Sequence, residues 1–237
     1  MQQVTIPVVP MRISPSHKAE MSNELLFGEL VQVHDQINEW VEVSCVDYDY
    51  RGWILADSLE EFTGNPGEKQ LLFSEFGHIE VNGILMTIPR GSVIRKESII
   101  DGDFHSISGF SSESVVSIAK QYLQAPYRWG GRSPLGLDCS GYTQIVFGLA
   151  GMQIPRDASQ QAEIGQNVSF IQEAQKGNLA FFGENDESIT HVGILLDNGQ
   201  IIHASGRVRI DKIDHQGIIN SESGKYSHRL RLIKRLS

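Results

Sequence analysis

The hydrophobic pattern of this chain changes period near residue 111, and that change sets the fold class. Ahead of it, apolar residues fall in short β-like runs over residues 4–13, 29–34, 40–46, 52–55, 77–82, 84–88 and 92–95, each closed by turn-prone residues. Beyond it, Val115, Ile118, Ala119, Tyr122 and Leu123 recur at helical spacing. So do Tyr142, Ile145, Val146 and Leu149, with Gly151 as a stop. Strand-like runs then return at 190–196 and 200–204. Helices followed by strands make this last part α+β.

Three segments result. Residues 1–60 lack helical periodicity and read as a small SH3-like barrel. The cluster Thr63-Gly64-Asn65-Pro66-Gly67 opens a segment 61–110 that is either a second, abbreviated barrel or a β-rich linker. Residues 111–237 form the α+β domain. A chain of 237 residues has ample length for these cores. Its net charge of −9 argues against nucleic acid or an anionic membrane surface as partner, because both select basic patches. No eighteen-residue apolar run occurs, and Met1-Gln2-Gln3-Val4-Thr5-Ile6-Pro7 lacks a basic stretch ahead of an apolar one. With Met1 as native start, the expectation is a cytoplasmic, monomeric protein.

Two cysteines do not make a disulfide scaffold. Cys45 sits in an alternating run and reads as an ordinary strand residue, whereas Cys139 follows a loop rich in glycine (Gly130, Gly131, Gly136) and opens the second helix. At a helix N-terminus, unpaired N–H groups and the positive dipole end favour thiolate, so Cys139 is a candidate nucleophile. Its candidate base lies downstream. Asp197-Asn198-Gly199 marks a hairpin turn between the last two runs. A two-residue turn would put His191 and His203 on opposite faces. A three-residue loop with Gly199 left-handed instead pairs Leu196 with Gln200 and sets both imidazoles on one face, with Val192, Ile194, Leu196 and Ile202 on the other. The three-residue loop is favoured, because it supplies nucleophile, base and base-orienting group. No CxxC or HxxxH pair occurs, so a zinc site is not expected, nor is any other cofactor.

Five groups of residues together resemble the NlpC family of papain-like bacterial cysteine peptidases, which cut peptidoglycan stem peptides. They are Tyr127-Arg128-Trp129-Gly130-Gly131, Asp138-Cys139-Ser140-Gly141, Pro155 to Gln161, Thr190-His191-Val192-Gly193 and Ile202 to Gly206. The resemblance implies a papain-like domain, helices packed on an antiparallel sheet, with Cys139 as nucleophile, His191 as base and His203 orienting it. It also implies hydrolysis of the bond between γ-D-glutamate and a diamino acid, meso-diaminopimelate or lysine, in stem peptides with a free L-alanine amino terminus, as in wall-peptide recycling. Asp138 is a candidate partner for that ammonium group and, on physical grounds, an N-cap. Ser140 is expected to face substrate or its own helix, and Trp129 to wall the pocket or join the core. Tyr50, in Asp49-Tyr50-Arg51-Gly52-Trp53, and Glu20 resemble barrel residues that close over the amino end. Other thiol chemistry, at the sugar–peptide junction or in acyl transfer, would use the same triad, and a wall-binding module without activity is the non-enzymatic alternative.

Overall fold

Alternating apolar residues fold only where their buried face finds a partner, and the first sixty residues solve this with one antiparallel sheet. The computed structural model describes residues 1–95, 97–107, 109–184 and 188–236. Contacts divide the chain into two units, one of residues 1–108 and 129–136, the other of residues 109–128 and 137–237. In the first unit seven strands are ordered Met21–Leu26, Val8–Arg12, Arg51–Leu55, Trp40–Cys45, Leu30–Ile37, Gln2–Val4 and Leu59–Glu61. Their inward residues Val4, Val9, Met11, Leu25, Val31, Val41, Val43, Cys45 and Ile54 form one core. The barrel reading is met, and Cys45 is the strand residue expected. Two three-stranded sheets follow, built from Gln70–Leu72 through Phe104–His105. They pack on a separate small core of Phe27, Leu72, Ile79, Ile88 and Ile94, so this stretch has its own apolar interior.

The second unit opens with α1 (Ser112–Lys120), whose Ser111 side chain caps the Ser114 N–H and whose Val115, Val116, Ile118 and Ala119 are buried. Helix α2 (Cys139–Leu149) is buried along its whole length and α3 (Ala158–Gln161) is a single turn. The strands Leu179–Gly183, Ile189–Leu196, Gln200–Ser205, Arg207–Ile213, Gly217–Ile219 and Tyr226–Arg235 pair antiparallel in that spatial order, beginning from Tyr226–Arg235. The last of them also pairs with Gly217–Ile219, so the sheet closes on itself. An antiparallel sheet under helices was expected, and closure adds to it. Ala180, Phe182, Leu195, Ile201, Ile213, Ile218 and Ile233 fill one face.

Candidate active site

The hairpin register decides which face carries the histidines. Leu196 pairs with Gln200 and Ile194 with Ile202, around a three-residue turn in which Asn198 and Gly199 are left-handed. Gly193 therefore faces His203, and a Cβ added there would lie 2.8 Å from His203 Cβ. His191 lies opposite Phe182 on the neighbouring strand. Both imidazoles share one face, as the three-residue loop requires, and Val192, Ile194 and Ile202 are fully buried on the other. Leu196 lies on that face too but is only half-buried. His191 Nε2 and His203 Nδ1 are 2.8 Å apart. His228 stacks on His191 with ring centroids 4.1 Å apart and planes 23° apart, a contact with no local signal in the sequence.

Cys139 is the first residue of α2, and Asp138 is its N-cap, accepting from the Gly141 N–H at 2.7 Å. The sulfur sits against the backbone on both sides of His191. Its S–H points to the Thr190 carbonyl at 4.0 Å, and the Val192 N–H donates to it. Burial pushes the thiol up to about 11, the Asp138 charge adding to the rise, while the Val192 N–H, the Arg156 charge and the Ser140 N–H pull the other way and lose. Burial likewise holds His191 well below the usual imidazole value, helped by His203 and His228. The resting pair is thus neutral thiol and neutral imidazole. This corrects the expectation that the helix terminus makes a thiolate. Hydrogen bonds of catalysis often tighten only with substrate bound.

Asp138 does more than cap. Both of its oxygens take a guanidinium hydrogen bond from Arg156, at 3.0 and 2.6 Å, and the pair is almost wholly buried. Its charge is balanced inside the unit by Arg156, and the capping role is seen. Ser140 is also tied to its own helix start, donating to Asp138 Oδ1 at 3.3 Å and accepting from Arg156 at 2.8 Å. Gln161 completes the brace by donating to the Ser140 carbonyl at 3.0 Å and accepting from the Thr143 hydroxyl at 2.7 Å. The motif Pro155 to Gln161 thus fixes the helix that carries the thiol.

The remaining candidates belong to the first unit. Exposed Trp129 donates its indole N–H to Glu20 Oε1 at 2.7 Å, so the structure brings these two together and Trp129 is not core. Tyr50 is half-buried against the barrel core. The loop of Trp129 is seated by Gly130, where a Cβ would come 2.6 Å from the Met21 carbonyl oxygen. Arg132 anchors it too, donating to Glu29 at 3.0 Å, the Glu24 carbonyl at 2.9 Å and the Tyr48 hydroxyl at 2.7 Å. Among the described residues no group of three or more His, Cys, Asp or Glu is arranged to hold a metal ion.

A capped thiol at a helix start, a histidine pair on two adjoining antiparallel strands and a barrel domain ahead of both define a papain-type thiol hydrolase with an SH3-like module. The comparisons agree with that class. Residues 124–224 match the NlpC/P60 family, and residues 11–59 match the bacterial dipeptidyl-peptidase SH3 domain. A γ-D-glutamyl-L-lysine dipeptidyl-peptidase of Bacillus cereus is 32% identical over 251 residues, covering 86% of this chain and 74% of that protein. One of the same description from Bacillus subtilis is 28% identical over 214 residues, covering 78% and 72%. The crystal structure of an NlpC/P60 family protein from Bacillus cereus superposes with a TM-score of 0.85 at 19% identity, covering 99% of this chain and 98% of that one. The chain belongs to the NlpC/P60 family of peptidoglycan-related cysteine peptidases.

Proposed function

We propose that this protein hydrolyses the γ-D-glutamyl bond to the diamino acid, lysine or meso-diaminopimelate, in stem peptides that begin with a free L-alanine. The hydrogen-bonded His191–His203 pair, beside Cys139 at the start of α2, carries the reading. The two dipeptidyl-peptidase relatives support the choice of bond. Cys139 gives its proton to His191 and attacks the γ-carbonyl, forming the C–S bond as the carbonyl oxygen takes up charge. Backbone N–H groups at the α2 terminus are assigned to that oxygen. Protonated His191 then donates to the leaving amine, and water activated by the neutral ring releases the dipeptide. By resemblance to the family, Asp138, Glu20, Trp129 and Tyr50 are assigned to the amino end of the substrate. A requirement for a free amine admits released fragments and rejects stems still attached to sugar, which suits recycling in the cytoplasm by a monomer.

The test is a digest of L-Ala-γ-D-Glu-L-Lys, its meso-diaminopimelate counterpart and their N-acetyl forms, with products identified by mass spectrometry. The expected products are L-Ala-γ-D-Glu and the free diamino acid, with the free peptides strongly preferred. Equal kcat/KM for free and acetylated peptides would remove the recycling role, and cleavage at any other bond would remove the proposed activity.

A further inference from the structure

The hydrogen-bond chain that begins at His191 does not end at His203. On the far side of that ring, His203 Nε2 lies 3.0 Å from Asp211 Oδ2, and both side chains are 1% exposed. The sequence showed no sign of this residue as part of a site, because an aspartate in a strand between Ile210 and Lys212 has no local motif. Strand pairing delivers it. His203 faces Arg209 and Ile201 faces Asp211, so all four side chains line the face that carries His191.

The surroundings of Asp211 leave it one protonation state. Its Oδ1 accepts from Arg209 at 3.1 Å and from the Ser221 N–H at 2.8 Å, and Arg209 Nε lies 2.9 Å from Oδ2. Arg209 is held in turn by Glu222 at 3.3 Å and by the Ser221 hydroxyl at 3.2 Å. Burial, the largest influence on Asp211, favours its neutral form. The His203, Ser221 and Arg209 donors together outweigh burial and hold the carboxyl well below the usual carboxylate range. An ionised carboxylate only accepts hydrogen bonds. His203 Nε2 must therefore carry a proton toward Asp211, and a ring with that one proton leaves its Nδ1 bare. His191 Nε2 then has to donate across the 2.8 Å contact. Its own Nδ1 is left with a lone pair.

We propose that Asp211 is a positioning residue of the site: acting through His203, it sets His191 in the tautomer whose Nδ1 is free to take the Cys139 proton. Arg209 and the Ser221 N–H keep the carboxylate ionised and aimed. The proposal rests on the cysteine-hydrolase reading above, but the state it assigns to both rings exists without substrate. In an Asp211→Asn variant the Ser221 N–H and Arg209 still demand an oxygen at the Oδ1 position, so the amide nitrogen must face His203. His203 Nε2 would then accept, its Nδ1 would donate to His191 Nε2, and His191 Nδ1 would present a proton to the thiol instead of a lone pair. In the serine-protease triad, this kind of replacement leaves geometry intact and costs about 10⁴ in kcat through the wrong tautomer.

The experiment uses the full chain labelled with ¹⁵N-histidine and long-range ¹H–¹⁵N correlation spectra. Wild type should show His203 and His191 each protonated at Nε2 and bare at Nδ1, and Asp211→Asn should reverse both rings. On L-Ala-γ-D-Glu-L-Lys the variant should lose about 100-fold or more in kcat, with KM changed less than about threefold. A wild-type spectrum with His203 protonated at Nδ1, alone or together with Nε2, would overturn the proposal even if the variant failed to fold. Unchanged tautomers in a folded Asp211→Asn protein, or reversed tautomers without loss of kcat, would overturn it as well. Because the spectra need no substrate, failure of the proposed peptide to be cleaved is a separate result.

Discussion

At Cys139 two effects of opposite sign meet, and their sizes decide the outcome. A helix terminus is worth about 0.3–1 kcal/mol to a nearby charge. One pKa unit is about 1.36 kcal/mol, so the dipole alone cannot offset the desolvation of a buried thiolate. The thiol is 7% exposed and is pushed up to about 11. Sequence shows where a helix starts but not how deeply it is buried, which is why the thiolate expectation failed. Alkylation of the free protein by iodoacetamide should therefore still be accelerating at pH 9, and a plateau between pH 6 and 8 would indicate a resting ion pair instead. His191 has to be neutral to act as base. With its value held below 6.5, kcat/KM should stay flat as pH falls through 6.5 and decline only at lower pH. An acid limb at 6.5 or above would contradict the assigned environment.

The hairpin is the element that most of the site depends on, and it was legible. Asn198-Gly199 and the alternation of residues 190–204 admit two registers, of which only one puts both histidines on a face. That register is the one seen. Gly193 is the residue that lets His203 approach, since any side chain there would press on His203 Cβ and Ile201. Gly193→Ala should cut kcat by at least about tenfold, as small displacements of a catalytic group are costly. A wild-type rate would show that the hairpin tolerates movement of His203. The start of α2 was legible only in part. Asp138 reads as a cap from its place alone, whereas its buried partner Arg156 comes from a later loop and leaves no periodic trace. Arg156→Met strands a buried carboxylate and should cost about 3–5 kcal/mol in urea unfolding. The double variant with Asp138→Asn should recover much of that, and a single variant as stable as wild type would contradict the coupling. Asp211 and His228 were missed for the same reason: each reaches the histidines by strand pairing, and closure of the sheet cannot be read from the runs themselves.

On the scale of the molecule, one buried and one half-buried imidazole make stability depend on pH. His191 is held well below its ordinary value and His228 at about 4, burial being the first cause in each. In the unfolded chain both titrate near about 6.5, so below that pH the unfolded state binds protons that the folded state refuses. Stability should be full above pH 6.5 and fall as pH drops from about 6.5 toward 4. The Asp211 carboxylate has the opposite kind of shift, and its contribution is lost only at more acid pH still. Thermal unfolding at pH 7, 5.5 and 4.5 should show the decline, with a smaller slope in His228→Phe, and a flat Tm over that range would contradict the burial of these rings. The division into a β-rich front and an α+β rear was plain in the sequence. That residues 129–136 group with the front was not, because their anchors Glu20, Met21, Glu24, Glu29 and Tyr48 lie about a hundred residues earlier. The proposed activity stands or falls with Cys139 as the nucleophile of a γ-D-glutamyl peptidase. The most direct measurement is the turnover of L-Ala-γ-D-Glu-L-Lys by wild type and by Cys139→Ala, with folding of the variant checked by circular dichroism. The wild type should release lysine, and the variant should lose several orders of magnitude in turnover. Comparable turnover by a well-folded Cys139→Ala protein would contradict that role.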